Sequence, residues 1–110
     1  MYNFGVPAHL KSWIDQICRV GQTFRYTENG PQGLLQNRPV FLVISTGGAK
    51  VGSEVDFVSH YLRQALQFVG ISVVQVIAAD QTGANRDQAL ERARGTMEEL
   101  AGHYHTARAA

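Results

Sequence analysis

One cysteine in 110 residues, Cys18, excludes an internal disulfide, and no basic N-terminal segment leads into the apolar run of a signal peptide. The expected setting is a reducing cytoplasm. The longest apolar stretches, Val40–Ile44 and Val73–Ala79 with Gln75 interrupting the second, fall far short of the ~20 residues that cross a bilayer. No membrane partner is expected. Charge of one sign is scarce too: the net charge is +1 with acidic and basic residues interspersed, which leaves no basic stripe for nucleic acid. A Walker A reading of "GGAKVGSE" fails because Ser53 follows Gly52 where a lysine is required, and a GxGxxG fingerprint is absent. No Ser-His-Asp or Cys-His order stands out. His103 and His105 form an H-x-H pair without Cys or carboxylate neighbours and read as a solvated tail, so no metal is expected.

What is present is globular: 45% hydrophobic residues with 17% charged suit one domain. From Ala8 to Val20 the apolar residues Leu10, Trp13, Ile14, Ile17 and Cys18 recur on one helix face, with Pro7 suited to the start and Gly21 to the stop. "TFRYTENGPQGLL" comes next, in which Asn29-Gly30-Pro31 signals a turn in a hairpin or projecting flap. "PVFLVIS", residues 39–45, predicts a strand buried on both faces, and "VVQVIAA", residues 73–79, a second. Between them a helix is expected over Glu54–Val69, with Val58, Tyr61, Leu62, Ala65, Leu66 and Val69 as its core stripe and Gly70 closing it. A last helix is expected from Arg86 to His103, with "HTARAA" frayed. Alternating strands and helices predict an α/β fold with a parallel sheet. Two doubly buried strands leave both sheet edges open, so the chain reads as the C-terminal part of a larger α/β domain.

In open α/β sheets ligands bind beyond the carboxyl ends of the strands. "MYNFG", if a strand precedes it, and "STGGAKVGSE" after the first strand fit that place. Gly47 and Gly48 permit close backbone approach and leave N–H groups free, Tyr2 and Phe4 offer aromatic area, and Asn3 offers a donor and an acceptor. Such a lining suits a planar heterocycle with polar edges, although a simple turn and ordinary core aromatics would give the same pattern. On the second helix Phe57 and Phe68 are eleven residues apart and, at about 100° per residue, share an azimuth off the core stripe. With Tyr61 they mark either a subunit contact, the wall of a neighbouring site, or local packing. Cys18 reads as a small core residue, Asp56 and His60 as a surface pair, and Arg25 and Tyr26 as flap residues.

"MYNFGVPAHLKSWIDQICRVGQTFRYTENGPQGLL", "STGG" and "FVGI" resemble the FMN-dependent NADH-azoreductases and NAD(P)H quinone oxidoreductases, dimeric flavoenzymes of the flavodoxin-like superfamily. The resemblance implies a doubly wound parallel sheet of which residues 1–110 supply only the C-terminal part: helix, flap, strand, helix, strand, helix. The N-terminal strands and the serine-rich loop that grips the FMN phosphate have no counterpart here. By the same resemblance Met1, Tyr2, Asn3 and Phe4 line the isoalloxazine, and Ser45, Thr46, Gly47 and Gly48 its pyrimidine edge, Thr46 standing where the family often has arginine. Tyr26 matches a flap aromatic beside the substrate, and Phe68 one that reaches the partner subunit's flavin. The implied activity is hydride transfer from NADH or NADPH through FMN to quinones or azo compounds, without a catalytic side chain and without metal, in a cytoplasmic homodimer. The alternatives are a truncated, non-catalytic fragment that self-associates without flavin, and a phosphodiesterase-type hydrolase, for which neither metal set nor nucleophile is present.

Overall fold

The computed structural model describes residues 1–109. The elements run α1 (Ala8–Ile17), β1 (Phe24–Thr27), β2 (Gly30–Gly33), β3 (Val40–Ser45), α2 (Ser59–Phe68), β4 (Val74–Ala79) and α3 (Arg86–Ala109). β3 and β4 pair in parallel from Val40 opposite Val74 to Ser45 opposite Ala79. β1 and β2 form a separate antiparallel hairpin. This is the expected α/β order of helix, flap, strand, helix, strand, helix.

Strand alternation divides the parallel pair into two faces. Val40, Leu42 and Ile44 with Val76 face α1 and α2, where Ile14, Ile44, Val58 and Leu62 form the buried cluster and Cys18, Tyr61 and Ala65 pack against it. Phe41 and Val43 share the other face with Ile77, where α3 packs through Ala89, Ala93 and the Tyr104 ring, 5.3 Å from that of Phe41. α3 lies over β4 and leaves the outer edge of β3 uncovered, so Val43 is 75% exposed. The expectation that this strand is buried on both faces is therefore corrected: within this chain the α3 side of β3 is covered only in part, at Phe41, and Val43 is left open. An apolar groove of about 490 Å³ opens along the same edge, bounded by Leu10, Trp13, Leu42, Leu62, Leu66 and Val69. Trp13, expected in the core, stands half-exposed on its rim.

Three helix boundaries differ from the periodicity. α1 stops at Ile17 because the Thr23 hydroxyl donates to the Ile17 carbonyl at 2.7 Å and accepts the Arg19 N–H at 2.8 Å, which turns the chain toward the hairpin. Gly21, with φ of +81°, serves that turn instead of the helix end. α2 begins at Ser59, five residues late, because Asp56 takes up the N–H groups that would otherwise extend the helix backwards. Phe57 consequently precedes the helix, and its azimuth on α2 is undefined. At the other end α3 continues helical through Ala109, so residues 105–109 of the supposed frayed tail are ordered helix, while Ala110 lies outside the described residues. His103 packs edge-on to Tyr104 at 5.4 Å. Among the described residues no helix is long and apolar enough to cross a membrane, and no cluster of three metal-ligating side chains occurs.

The hairpin turns at Glu28-Asn29, one residue earlier than the Asn-Gly-Pro signal suggests, with the Thr27 hydroxyl donating to the Gly30 carbonyl at 2.6 Å. Its base is pressed onto the end of α2. A Cβ on Gly33 would lie 2.2 Å from the Gly70 nitrogen, and the Leu35 N–H donates to the Val69 carbonyl at 2.9 Å. Glycine at position 33 is what lets the two backbones touch.

Candidate functional site

Two loops converge beyond the carboxyl end of β3. The first is a tight turn in which Tyr2 and Gly5 exchange N–H···O bonds of 2.9 and 3.0 Å, while Asn3 and Phe4 between them take φ of +45° and +68°. Positive φ at both central residues is the type I′ arrangement, easy for asparagine and costly for phenylalanine. Strain of this kind concentrates at functional sites. The Phe57 N–H holds the turn by donating to the Phe4 carbonyl at 3.1 Å, and the Met1 amine donates to the Ser45 carbonyl at 2.9 Å, which ties this loop to the next.

The second loop, Ser45–Lys50, is built around Thr46. Its residue is only 5% exposed, its hydroxyl donates to the Ala49 carbonyl and accepts the Gln81 N–H at 3.0 Å, and its own N–H donates to Ala79 at 3.2 Å. The Thr46 side chain is thus consumed inside the protein. Two carboxylates hold the adjoining segment, Val51–Ser59. Asp80 accepts the Val51 N–H at 2.8 Å and the Arg92 guanidinium at 3.2 Å; burial alone would raise its pKa, but these bonds hold it below the ordinary carboxylate value. Asp56, 2% exposed, accepts the N–H groups of Gly52, Val58 and Ser59 and the Ser59 hydroxyl. Burial again opposes ionisation, and the Ser59 hydroxyl with the three N–H groups overcomes it, lowering the pKa to about 2. Asp56 is a buried cap, which corrects its assignment to a surface pair with His60.

Between the loops lies a cleft of about 170 Å³ lined by Met1, Asn3, Phe4, Thr46, Gly47, Gly48 and Ala49. Six of the eight residues assigned to the cofactor line it. Tyr2 and Ser45 flank it, Tyr2 as a residue 69% exposed and Ser45 through the carbonyl bonded to Met1. A Cβ on Gly47 or Gly48 would meet no atom within 4 Å, and neither residue has a positive φ, so this chain's own packing does not require glycine there. Among the described residues the N–H groups of Gly47 and Gly48 make no hydrogen bond. A bare backbone with free donors beside exposed aromatics fits one edge of a planar heteroaromatic group such as an isoalloxazine.

Tyr26 and Phe68 lie outside this cleft. They meet through Phe24, whose ring centroid is 5.5 Å from Tyr26 and 4.5 Å from Phe68, at the base of the hairpin. Tyr26 is 68% exposed, and Phe68 is half-buried. The residues that sequence reasoning missed are Asp56, Asp80, Thr82 and Gly83. An Asp three positions before Ser59 at a helix start was a legible capping signal, whereas the contacts of Thr82 and Gly83 span 36 residues and left none.

A parallel pair with helices on both faces and a Gly-Gly turn beyond one strand are the parts of an open α/β fold. A family described as having a flavodoxin-like fold matches residues 1–101, and the chain belongs to that family. It is 46% identical over 100 residues to the FMN-dependent NADH:quinone oxidoreductase 1 of Colwellia psychrerythraea, covering 91% of this chain and 52% of that protein. With the protein of the same name from Hahella chejuensis the identity is 59% over 81 residues, 74% of this chain and 40% of that one. The crystal structure of an FMN-dependent NADH-azoreductase from Bacillus anthracis in complex with FMN superposes with a TM-score of 0.85 at 30% identity, over 94% of this chain and 52% of that one. The chain spans about half the length of the curated relatives it matches.

Proposed function

We propose that residues 1–110 are the C-terminal part of one flavodoxin-like domain in an FMN-dependent oxidoreductase that takes hydride from NADH or NADPH and delivers it to quinones or azo compounds. The observation that carries this reading is the convergence of Met1–Phe4 with Thr46–Gly48 in one cleft beyond β3. FMN, when bound, supplies the hydride chemistry. The chain's own residues orient and shield it: Gly47 and Gly48 present donors to its edge, Asn3 offers an amide, and Tyr2 and Phe4 cover its rings. Free donors facing a heteroaromatic edge stabilise negative charge developing there.

The strands before Met1 and a phosphate-gripping loop belong, in this reading, to a preceding segment. The free edge of β3, the exposed Val43 and the apolar groove beside them support that arrangement. We assign the assembled protein to the cytoplasm as a homodimer, with Phe57, Tyr61 and Phe68 toward the partner subunit and Tyr26 beside the acceptor. The 63% exposure of Phe57 and that of Tyr26 support such contacts. The test is a chimera in which the N-terminal half of the Colwellia relative precedes Met1. It should purify yellow and oxidise NADH when a quinone is added. A folded, colourless chimera would overturn the reading in favour of a non-catalytic fragment.

A further inference from the structure

We propose that Thr82 and Gly83, in the loop after β4, are positioning residues that aim the N–H groups of Gly47 and Gly48 into the cleft. Two carbonyl groups carry the inference. The Thr46 carbonyl accepts both the Thr82 N–H at 3.0 Å and the Thr82 hydroxyl at 2.9 Å, and the Gly47 carbonyl accepts the Gly83 N–H at 2.9 Å. In a trans peptide the C=O of one residue and the N–H of the next point in opposite directions, and no peptide bond here is cis. Anchoring these two carbonyls on residues 82 and 83 therefore turns the Gly47 and Gly48 N–H groups away from that loop. They face the open side of the turn, where the cleft lies and which no residue of 80–83 lines.

Two successive N–H groups held on one side form a small concavity for acceptors. The ligand chemistry it selects is an edge with neighbouring carbonyl oxygen or ring-nitrogen acceptors. Gly83 also sets the spacing: an added Cβ would stand 3.0 Å from the Gly47 oxygen, tighter than ordinary contact, so alanine there must push that carbonyl and tilt the Gly47–Gly48 peptide. The loop is itself held in place, because Gln81 at φ of +57° donates to the Thr46 hydroxyl at 3.0 Å and Asp80 is bonded to Val51 and Arg92. The identity of the ligand rests on the FMN reading above; the aiming of the donors does not.

Amide hydrogen exchange and FMN titration, both followed residue by residue by NMR on the labelled chimera that carries the N-terminal half of the Colwellia relative before Met1, separate the two; in the wild-type chimera residues 1–110 are unaltered. In the wild type the Thr82 and Gly83 amides should exchange at least about tenfold more slowly than those of Gly47 and Gly48. Gly83→Ala should abolish protection at position 83 and weaken FMN binding about fivefold or more. Thr82→Val should weaken it about two- to threefold, and Thr82→Ser, which keeps the hydroxyl, should restore wild-type binding. If Gly83→Ala does not fold, the Thr82→Val and Thr82→Ser pair carries the comparison. Rapid exchange at Thr82 and Gly83 in the wild type, or equal FMN affinity in Gly83→Ala or in Thr82→Val, would overturn the proposal. Absence of any FMN-induced shift in the wild-type chimera would sink the FMN reading, and the exchange pattern would still decide the positioning role.

Discussion

The two loops that build the cleft are held in opposite ways. The Ser45–Lys50 loop is tied into the interior by Thr46, Asp80 and the 80–83 loop, all bonded within this chain. The Met1–Gly5 turn closes on itself with two left-handed residues, exposed rings, and one bond each to Phe57 and Ser45. One loop is preorganised by the fold. The other carries strain and exposed aromatic surface that its own chain does not use, which agrees with the proposal that a bound group completes it.

The largest effect that would sharpen this contrast is expected at Asp56, which holds the Val51–Ser59 segment adjoining the preorganised loop. Asp56→Asn replaces one acceptor oxygen with a donor that faces either the Gly52 N–H and Ser59 hydroxyl or the Val58 and Ser59 N–H groups. A carboxyl pKa lowered from 3.8 to about 2 corresponds to roughly 2–3 kcal/mol of stability. Because the folded-state value lies below the unfolded one, this contribution is complete above about pH 4 and disappears as the pH falls toward 2. Urea denaturation should therefore show the variant destabilised by roughly that amount at pH 7, with the gap to wild type closing across that acid window. A gap unchanged between pH 7 and pH 2 would remove Asp56 from the account.

A smaller effect is expected in the strained turn. Phe4→Gly relieves a left-handed residue, worth roughly 1–2 kcal/mol, while adding roughly 0.5–1 kcal/mol of unfolded-chain entropy and losing a largely exposed ring. Stability should change by less than about 1 kcal/mol in either direction. FMN affinity in the Colwellia chimera should nevertheless fall. A large loss of stability would show that Phe4 is core and that the two loops are held alike.

Much of the architecture was legible from local pattern. β3 and β4 announced themselves as β-branched apolar runs, the hairpin by its turn residues, and the cleft by Gly47-Gly48 and the aromatic start of the chain. Periodicity failed where a single side chain overrode it, as Thr23 does at the end of α1 and Asp56 before α2. It failed differently at Trp13 and Val43, whose apolar character specifies burial that this chain alone does not provide. Phe68 was placed off its own core by helix geometry, and the structure gives it a local neighbour in Phe24. The roles of Thr46 and Gly83 depend on contacts between the loops after β3 and β4, which no local window contains.

The central claim is that the Met1–Phe4 and Thr46–Gly48 loops form one face for a flavin edge. It is tested most directly by mapping amide shifts on addition of FMN to the chimera that carries the N-terminal half of the Colwellia relative before Met1. The account predicts shifts concentrated at Asn3, Phe4, Gly47 and Gly48, which Gly48→Val diminishes without lowering stability, since the new side chain meets no protein atom within 4 Å at its Cβ. Shifts confined to the groove around Leu10, Trp13 and Leu66, with both loops silent and Gly48→Val binding like wild type, would contradict it.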